Sequence, residues 1–432
     1  MSLIKRIVHN DAVRNIQTYF LINVLQKSIP FLILPIFTRM LSNDDMGNYL
    51  LYQSIFQIVI PVLTLGVGSA ITIEYYKLEK KVLSNYIFTS IGIALGWSIL
   101  LIVLSFFLRS RLTEWLNMPY DGILYASLAA FPWMVFSTYQ NILRFENNVS
   151  KYGVLALIAT GLTNGLGFLL LFTTSLSWRA FAISNLIGYF LLMLYGLILL
   201  RKQQLIDVPF IKKHVYDILK IGVPSALNSI GGWLENSLSR LLLNILIGAS
   251  ATAVFGIAST FGMVMNLVSD SINLAYVPLV FKKLSDKTKG SRLYLLKFAA
   301  FIYGILIVIA LSLCIVGYYG VIILFGNKYA DSIQFVVPLV VVATINGFYK
   351  IHLAYILFSK KTYIVMCITI FSGLLNLGIG YFSIQKYGVM GAVYSTLTTQ
   401  TVAYILSVII SNRMYPSVIR LHDLLKYGKK KI

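Results

Sequence analysis

Ile221–Gly248, IGVPSALNSIGGWLENSLSRLLLNILIG, is the stretch whose reading decides the fold. At 1.5 Å per residue, about 20 residues cross a bilayer, and this stretch is long enough. It nevertheless carries Glu235 near its middle and Arg240 five residues later. On a wheel of about 100° per residue, Leu227, Ile230, Leu234, Leu238, Leu241, Leu242 and Ile245 fill one flank. Asn228, Gly232, Glu235, Asn236, Ser239 and Arg240 fill the other, and Leu243 is the misfit. A charged side chain at the membrane centre costs roughly 2.5–3.5 kcal/mol on insertion scales, so a lipid-facing helix has no use for such a flank. Pro224 and the Gly231–Gly232 pair weaken the helix where neighbours or water must satisfy its backbone. The stretch reads as a helix lining a polar cavity inside a membrane protein.

The composition agrees. Of 432 residues, 58% are hydrophobic and 12% charged, with a mean hydropathy of +0.80; soluble domains carry about 25% charged residues. The net charge of +21 does not indicate nucleic acid, because the basic residues lie between apolar spans instead of forming a basic face. Cys314 and Cys367 sit within apolar spans, which argues against a disulfide framework or a metal site. The first apolar stretch, near Tyr19 to Leu41, is too long for the core of a cleavable signal peptide.

Twelve spans are expected, at roughly 15–41, 47–74, 84–108, 121–143, 152–173, 178–200, 217–247, 251–280, 293–318, 330–356, 362–382 and 388–411. Alternate connections are basic, among them Lys77, Lys80 and Lys81; Arg201, Lys202, Lys212 and Lys213; and the tail from Arg413. By the positive-inside rule both termini are cytoplasmic. The expected class is an all-α integral membrane protein of two six-helix bundles around a central cavity. Its parts are an N-terminal half at 1–200, a cytoplasmic linker at 201–216, a C-terminal half at 217–412 and a basic tail at 413–432. Halves with parallel topology are a transporter architecture.

Several spans carry polar stripes. Asn23, Lys27 and Thr38 share a face of the first, Ser259, Asn266, Asp270 and Asn273 of the eighth, and Asn346 and Lys350 of the tenth. These residues also admit structural readings. Glu235 and Arg240 could pair to hold the bundle together. Arg39 and Arg179, near the outer boundary, are expected to snorkel to headgroups. Lys350 lies near a cytoplasmic end, and Asp270 divides evenly between ion coupling and structure. His352 lies on another face from Lys350 and reads as packed or interfacial. There is no phosphate-binding loop, Gly-x-Ser-x-Gly turn or metal-ligand cluster, so no enzymatic activity and no cofactor are expected.

The run PIFTRMLSNDDMGNYLLYQSIFQIVIPVLTLGVGSAI, Pro35 to Ile71, resembles the amino-terminal signature of the Wzx-type flippases that handle O-antigen and capsule repeat units. It shows a Pro-x-x-Thr-Arg-x-Leu stretch (Pro35, Thr38, Arg39, Leu41), then Gly47 and Tyr49, then Gly66, Gly68, Ser69 and Ala70. Lys220 to Leu243 is similar to that family's seventh span. The family belongs with multidrug exporters and lipid II flippases in one superfamily. The resemblance implies a V-shaped cavity that opens alternately to each side of the bacterial cytoplasmic membrane. The implied substrate is an undecaprenyl-pyrophosphate-linked oligosaccharide, with membrane lipids and a downstream polymerase as candidate partners.

Lys27, Arg240 and Lys350 are the cations such a cavity would offer to phosphate. Asn23, Asn228, Asn236, Asn266, Asn273 and Asn346 are the amides it would offer to sugar, and Glu235 and Asp270 are the titratable candidates for coupling to an ion gradient. The alternative from another class is a cation-coupled, multidrug-type small-molecule antiporter, which predicts a net-acidic lining instead.

Overall fold

The computed structural model describes residues 11–206, 210–285, 289–359 and 361–415; within these, a few side chains, including those of Asn23 and Lys27, lie outside the described set. The described residues are almost entirely helical, and helices stand at every position where a span is expected. Nine of the described helices are long and apolar enough to cross a membrane. The other three positions are held by Asp11–Met40 (α1), by Tyr120–Phe145 (α6), which carries Asp121, Gln140 and Arg144, and by a broken pair discussed below. Large apolar side chains such as Leu100, Phe107, Val308 and Ile315 stand exposed along the helices. A soluble protein rarely exposes that much apolar surface, whereas a lipid-facing helix must.

The chain divides into two compact units. Unit 1 comprises residues 1–233 and 243–253, and unit 2 comprises 234–242 and 254–432. In unit 1, α1 is followed by Asn43–Thr64 (α2), Val67–Glu74 (α3), Lys80–Phe107 (α4), the short Arg109–Leu116 (α5), α6, Val149–Thr173 (α7) and Arg179–Lys202 (α8). Ser42 starts α2 by accepting the amide hydrogen of Asp45 at 3.1 Å, as N-cap residues do. A core of Ile87, Met134, Val135, Tyr139, Ile142 and Tyr152, with their neighbours, joins α4, α6 and α7.

The second expected span is two helices, because Leu65 and Gly66 both take positive φ (50° and 63°) between α2 and α3. Gly66 is required there twice over. Its φ favours a residue without Cβ, and a Cβ would lie 2.4 Å from the carbonyl oxygen of Gly222. Gly222 in turn lies so close to Leu65 that a Cβ there would meet its carbonyl oxygen at 2.6 Å. Two glycines thus let the kink approach Lys212–Asn236 (α9) backbone to backbone.

The stretch from Ile221 to Gly248 is also broken. Helix α9 ends at Asn236, and Leu238–Leu246 (α10) begins after Ser237. The single wheel drawn over this sequence therefore does not hold: the break resets the register, and Leu243, the misfit, is fully buried. Trp233 anchors the first part by donating its indole N–H to the Ser54 carbonyl at 2.7 Å. Asn244 anchors the second. Its amide donates to the carbonyls of Leu116 and Asn117, both at 2.8 Å, and Asn117 donates back to the Asn244 carbonyl at 2.9 Å.

Unit 2 contains Ala249–Ser285 (α11, whose first residues belong to unit 1), Lys289–Gly320 (α12), Ile333–Phe358 (α13), Thr362–Tyr387 (α14) and Val389–Met414 (α15). A π turn at Val321–Phe325 and a 3-10 turn at Asn327–Ser332 link α12 to α13. One core joins Met265, Tyr276, Leu295, Ile302 and Ala354. Buried within unit 2, His352 sits between the Tyr303 hydroxyl at 2.8 Å and the Ser411 hydroxyl at 2.9 Å, the packed histidine that the sequence suggested.

Candidate functional site

The polar residues of the expected stripes meet in unit 2 around the helix break. Glu235 lies on the last turn of α9, beside the residue where the helix stops. Its carboxylate accepts from the Gln400 amide at 2.9 Å, and the Gln400 carbonyl oxygen accepts from Asn346 at 3.1 Å. Helices α9, α13 and α15 are thereby joined by one acid and two amides. One turn along α13, the Lys350 ammonium pairs with Asp270 of α11 at 2.7 Å. Lys350 also acts electrostatically on Glu235. The Asp270 side chain is 42% exposed and that of Lys350 19%, so this pair sits where a ligand can reach it.

Arg240 is buried on α10 and donates to the Ser259 hydroxyl of α11 at 3.0 Å. Glu235 and Arg240 therefore do not form the pair that their spacing suggested: the break at Ser237 separates them and each turns to another helix. Nearby, Asn376 of α14 donates to the Leu234 carbonyl and the Ser239 hydroxyl, both at 3.4 Å. The side-chain oxygens of Asn266 and Asn273 are buried without a hydrogen-bond partner. An unpartnered buried amide oxygen costs about 1–3 kcal/mol, so both can still accept a hydrogen bond.

The remaining residues named from the sequence are not all brought here. Asn228 belongs to unit 1, and both it and Asn236 are exposed. The backbone of Asn23 and Lys27 lies in α1, and their side chains lie outside the described residues. Arg179, expected to reach for headgroups, instead pairs with Asp121 of α6. No group of acids, histidines or cysteines among the described residues has the arrangement of a metal site.

Charge-led reading of the sequence missed a second polar place. Within unit 1 lies a cavity of about 380 Å³ with a lining of amides, hydroxyls and aromatic rings. Five helices contribute, four of them at intervals of one turn: Tyr49, Gln53 and Gln57 from α2; Phe136 and Gln140 from α6; Thr160 and Asn164 from α7; Phe181, Asn185 and Tyr189 from α8; Gln26 of α1 adds another amide. The signal was present as polar and aromatic residues at i, i+4 and i+8, but none of them is charged.

Comparison with known proteins adds to this geometry. Residues 12–284 match the sequence profile of the family described as "Polysaccharide biosynthesis protein". Protein 1 of the Lsg locus of Haemophilus influenzae is 20% identical over 355 residues, covering 80% of this chain and 85% of that protein. Among solved structures, the lipid II flippase MurJ in an inward closed conformation superposes with a TM-score of 0.75, at 14% identity, over 92% of this chain and 87% of that one. A multidrug resistance MATE family transporter of the MOP superfamily, inward-facing, gives 0.73 at 16% identity over 91% and 96%.

Proposed function

The chain belongs to the polysaccharide biosynthesis protein family and has the all-α fold of a multi-pass membrane transporter; from that premise we propose that it is a flippase for undecaprenyl-pyrophosphate-linked oligosaccharide repeat units in the bacterial cytoplasmic membrane. The observation that carries the reading is the reachable Lys350–Asp270 pair, set among neutral amides in unit 2 of a member of this family. A pyrophosphate entering such a place offers Lys350 a doubly charged partner in place of one carboxylate, and charge-assisted bonds to phosphate are the stronger kind. Asn266 and Asn273 hold unsatisfied oxygens that sugar hydroxyls can fill. The polyprenyl tail stays in the bilayer, so only the headgroup needs a polar path.

Likeness to a lipid II flippase supports a lipid-linked substrate. MATE family transporters of similar fold have been solved inward-facing and outward-facing, which supports alternating access as the mode of transport. Coupling to an ion gradient through Glu235 or Asp270 belongs to the same proposal. The second reading, a cation-coupled small-molecule antiporter, is favoured by the MATE likeness alone.

Removing the protein from its host separates the two. A flippase predicts loss of the surface glycan and accumulation of lipid-linked oligosaccharide in the inner leaflet, both restored by the intact chain. An unchanged surface glycan with increased sensitivity to lipophilic cations would instead make it an antiporter.

A further inference from the structure

The cavity in unit 1 has a character unlike that of the charged cluster in unit 2. Among the described residues that line it there is no aspartate, glutamate, lysine, arginine or histidine. Its polar groups are amides and hydroxyls, which both donate and accept, as sugar hydroxyls do. Tyr49 and Phe181 are buried at one part of it while Gln57 is exposed, so the cavity runs from the surface towards the core. The volume of about 380 Å³ falls in the range of small-molecule sites, about 300–1,000 Å³.

The lining is partly pre-arranged. Gln53 donates to the Tyr49 hydroxyl, Asn164 to the Thr160 carbonyl at 2.8 Å, Asn185 to the Tyr52 hydroxyl at 3.3 Å, and Gln26 to the Ala156 carbonyl at 3.3 Å. In each case the amide nitrogen is engaged and the amide oxygen remains to accept. Gln140 differs: its amide nitrogen is buried without any partner, so it is a donor held ready. Aromatic faces complete the set, with Trp133 and Tyr189 in the lining and Phe56 stacked on Tyr189 at 5.8 Å. The C–H face of a pyranose is the apolar surface that such rings cover well. An ion, by contrast, would lose its hydration here without gaining a counter-charge.

We propose that this cavity binds an uncharged sugar residue of the transported oligosaccharide, with Gln140 donating to a sugar hydroxyl or acetamido oxygen, amide oxygens accepting from hydroxyls, and Trp133 and Tyr189 covering the ring. The assignment rests on the flippase reading for its ligand and on the cavity alone for its chemistry. It gives the unit-1 cavity a task of its own, one that calls for no charge in its lining.

Saturation-transfer NMR on the purified full chain tests it, using methyl glycosides of glucose, galactose, N-acetylglucosamine and N-acetylgalactosamine as probes, with methyl glucuronide and glucosamine as charged controls. At least one neutral glycoside should take up saturation and the charged controls should not. Gln140→Leu should weaken that binding about tenfold, the loss of one well-made hydrogen bond in a dry site. Gln140→Glu, almost the same shape, should weaken it at pH 8 and recover part of it at pH 5, where a protonated carboxyl can donate; this second variant guards against a folding defect. No transfer from any neutral glycoside, equal transfer from glucuronide, or signals unchanged in both variants would overturn the assignment. Failure of the flippase reading shows elsewhere, as normal surface glycan in cells lacking the protein.

Discussion

Lys350 and Asp270 show at the level of single residues how a charge inside a membrane protein is retained. An isolated charge within a membrane span is costly, and each of these lowers the other's cost across 2.7 Å. If the pair serves only to hold α11 to α13, removing both partners should cure what removing one causes. If Lys350 receives phosphate, it should not. We therefore predict that Lys350→Ala lowers glycan export at least about tenfold with normal membrane insertion, the loss of a charge-assisted bond, and that Lys350→Ala with Asp270→Ala does not restore it. Export at the wild-type rate by the double variant would assign the pair to structure. A second prediction concerns Glu235, whose partner is a neutral amide. Glu235→Gln keeps the shape and the bond to Gln400 while removing the titratable group. It should leave the protein folded and make export insensitive to collapse of the pH gradient; undiminished sensitivity would remove Glu235 as the coupling group. The charged residues were legible in the sequence because charges stand out against an apolar background. Their partners were not, since a wheel shows one helix at a time and Gln400 carries no charge to attract notice.

Among the elements, the two broken helices carry the features that periodicity alone reads poorly. Helix α2 stops at a left-handed Leu65–Gly66 step, and α9 stops at Ser237 before the stretch has run its length. The sequence placed a helix over each region correctly, but a break in the middle shifts every later side chain around the axis. Leu243 was the visible symptom: out of place on one continuous wheel, yet fully buried on its own short helix. The glycines of the Pro35–Ile71 run acquire separate physical reasons. Gly47 allows contact with the Ala249 carbonyl, where a Cβ would lie at 1.9 Å, and the neighbouring Ser250 donates to Asp44 at 2.6 Å. Gly66→Ala should destabilise the protein by roughly 1–3 kcal/mol, from a strained φ together with the clash on Gly222. Gly68→Ala, where the nearest atom is the Thr138 hydroxyl at 3.7 Å, should be close to neutral. Thermal unfolding of the two purified variants checks this, and equal melting temperatures would contradict the packing described for the kink.

For the whole molecule, helices stand at the expected span positions, and the alternation of basic and non-basic connections assigns each connection a side for experiment to check. The segment boundaries agree to within a few residues, because hydropathy reports directly on length across a bilayer. What hydropathy cannot report is which helices share a unit, and the residues at 234–242 group with unit 2 while their flanks on both sides group with unit 1. The neutral cavity stayed unseen for the same reason, since it is assembled from one face each of five helices, α1, α2, α6, α7 and α8. Reporter fusions ending at Asp45, Met118 or Lys328 should read outside, and fusions ending at Lys81 or Gln204 inside. An outside signal at Gln204 would undo the proposed arrangement of two six-span halves.

Lipid translocation itself can be measured. With the purified chain in proteoliposomes containing undecaprenyl-pyrophosphate-linked oligosaccharide that carries a fluorophore on its sugar, a membrane-impermeant quencher reports the fraction reaching the outer leaflet. The flippase account predicts that quenching rises from the outer leaflet's share towards completion when the wild-type protein is present, and that Lys350→Ala slows the rise. Quenching that stays at the level of protein-free vesicles, in vesicles where the same protein exchanges a lipophilic cation against an ion gradient, would contradict it.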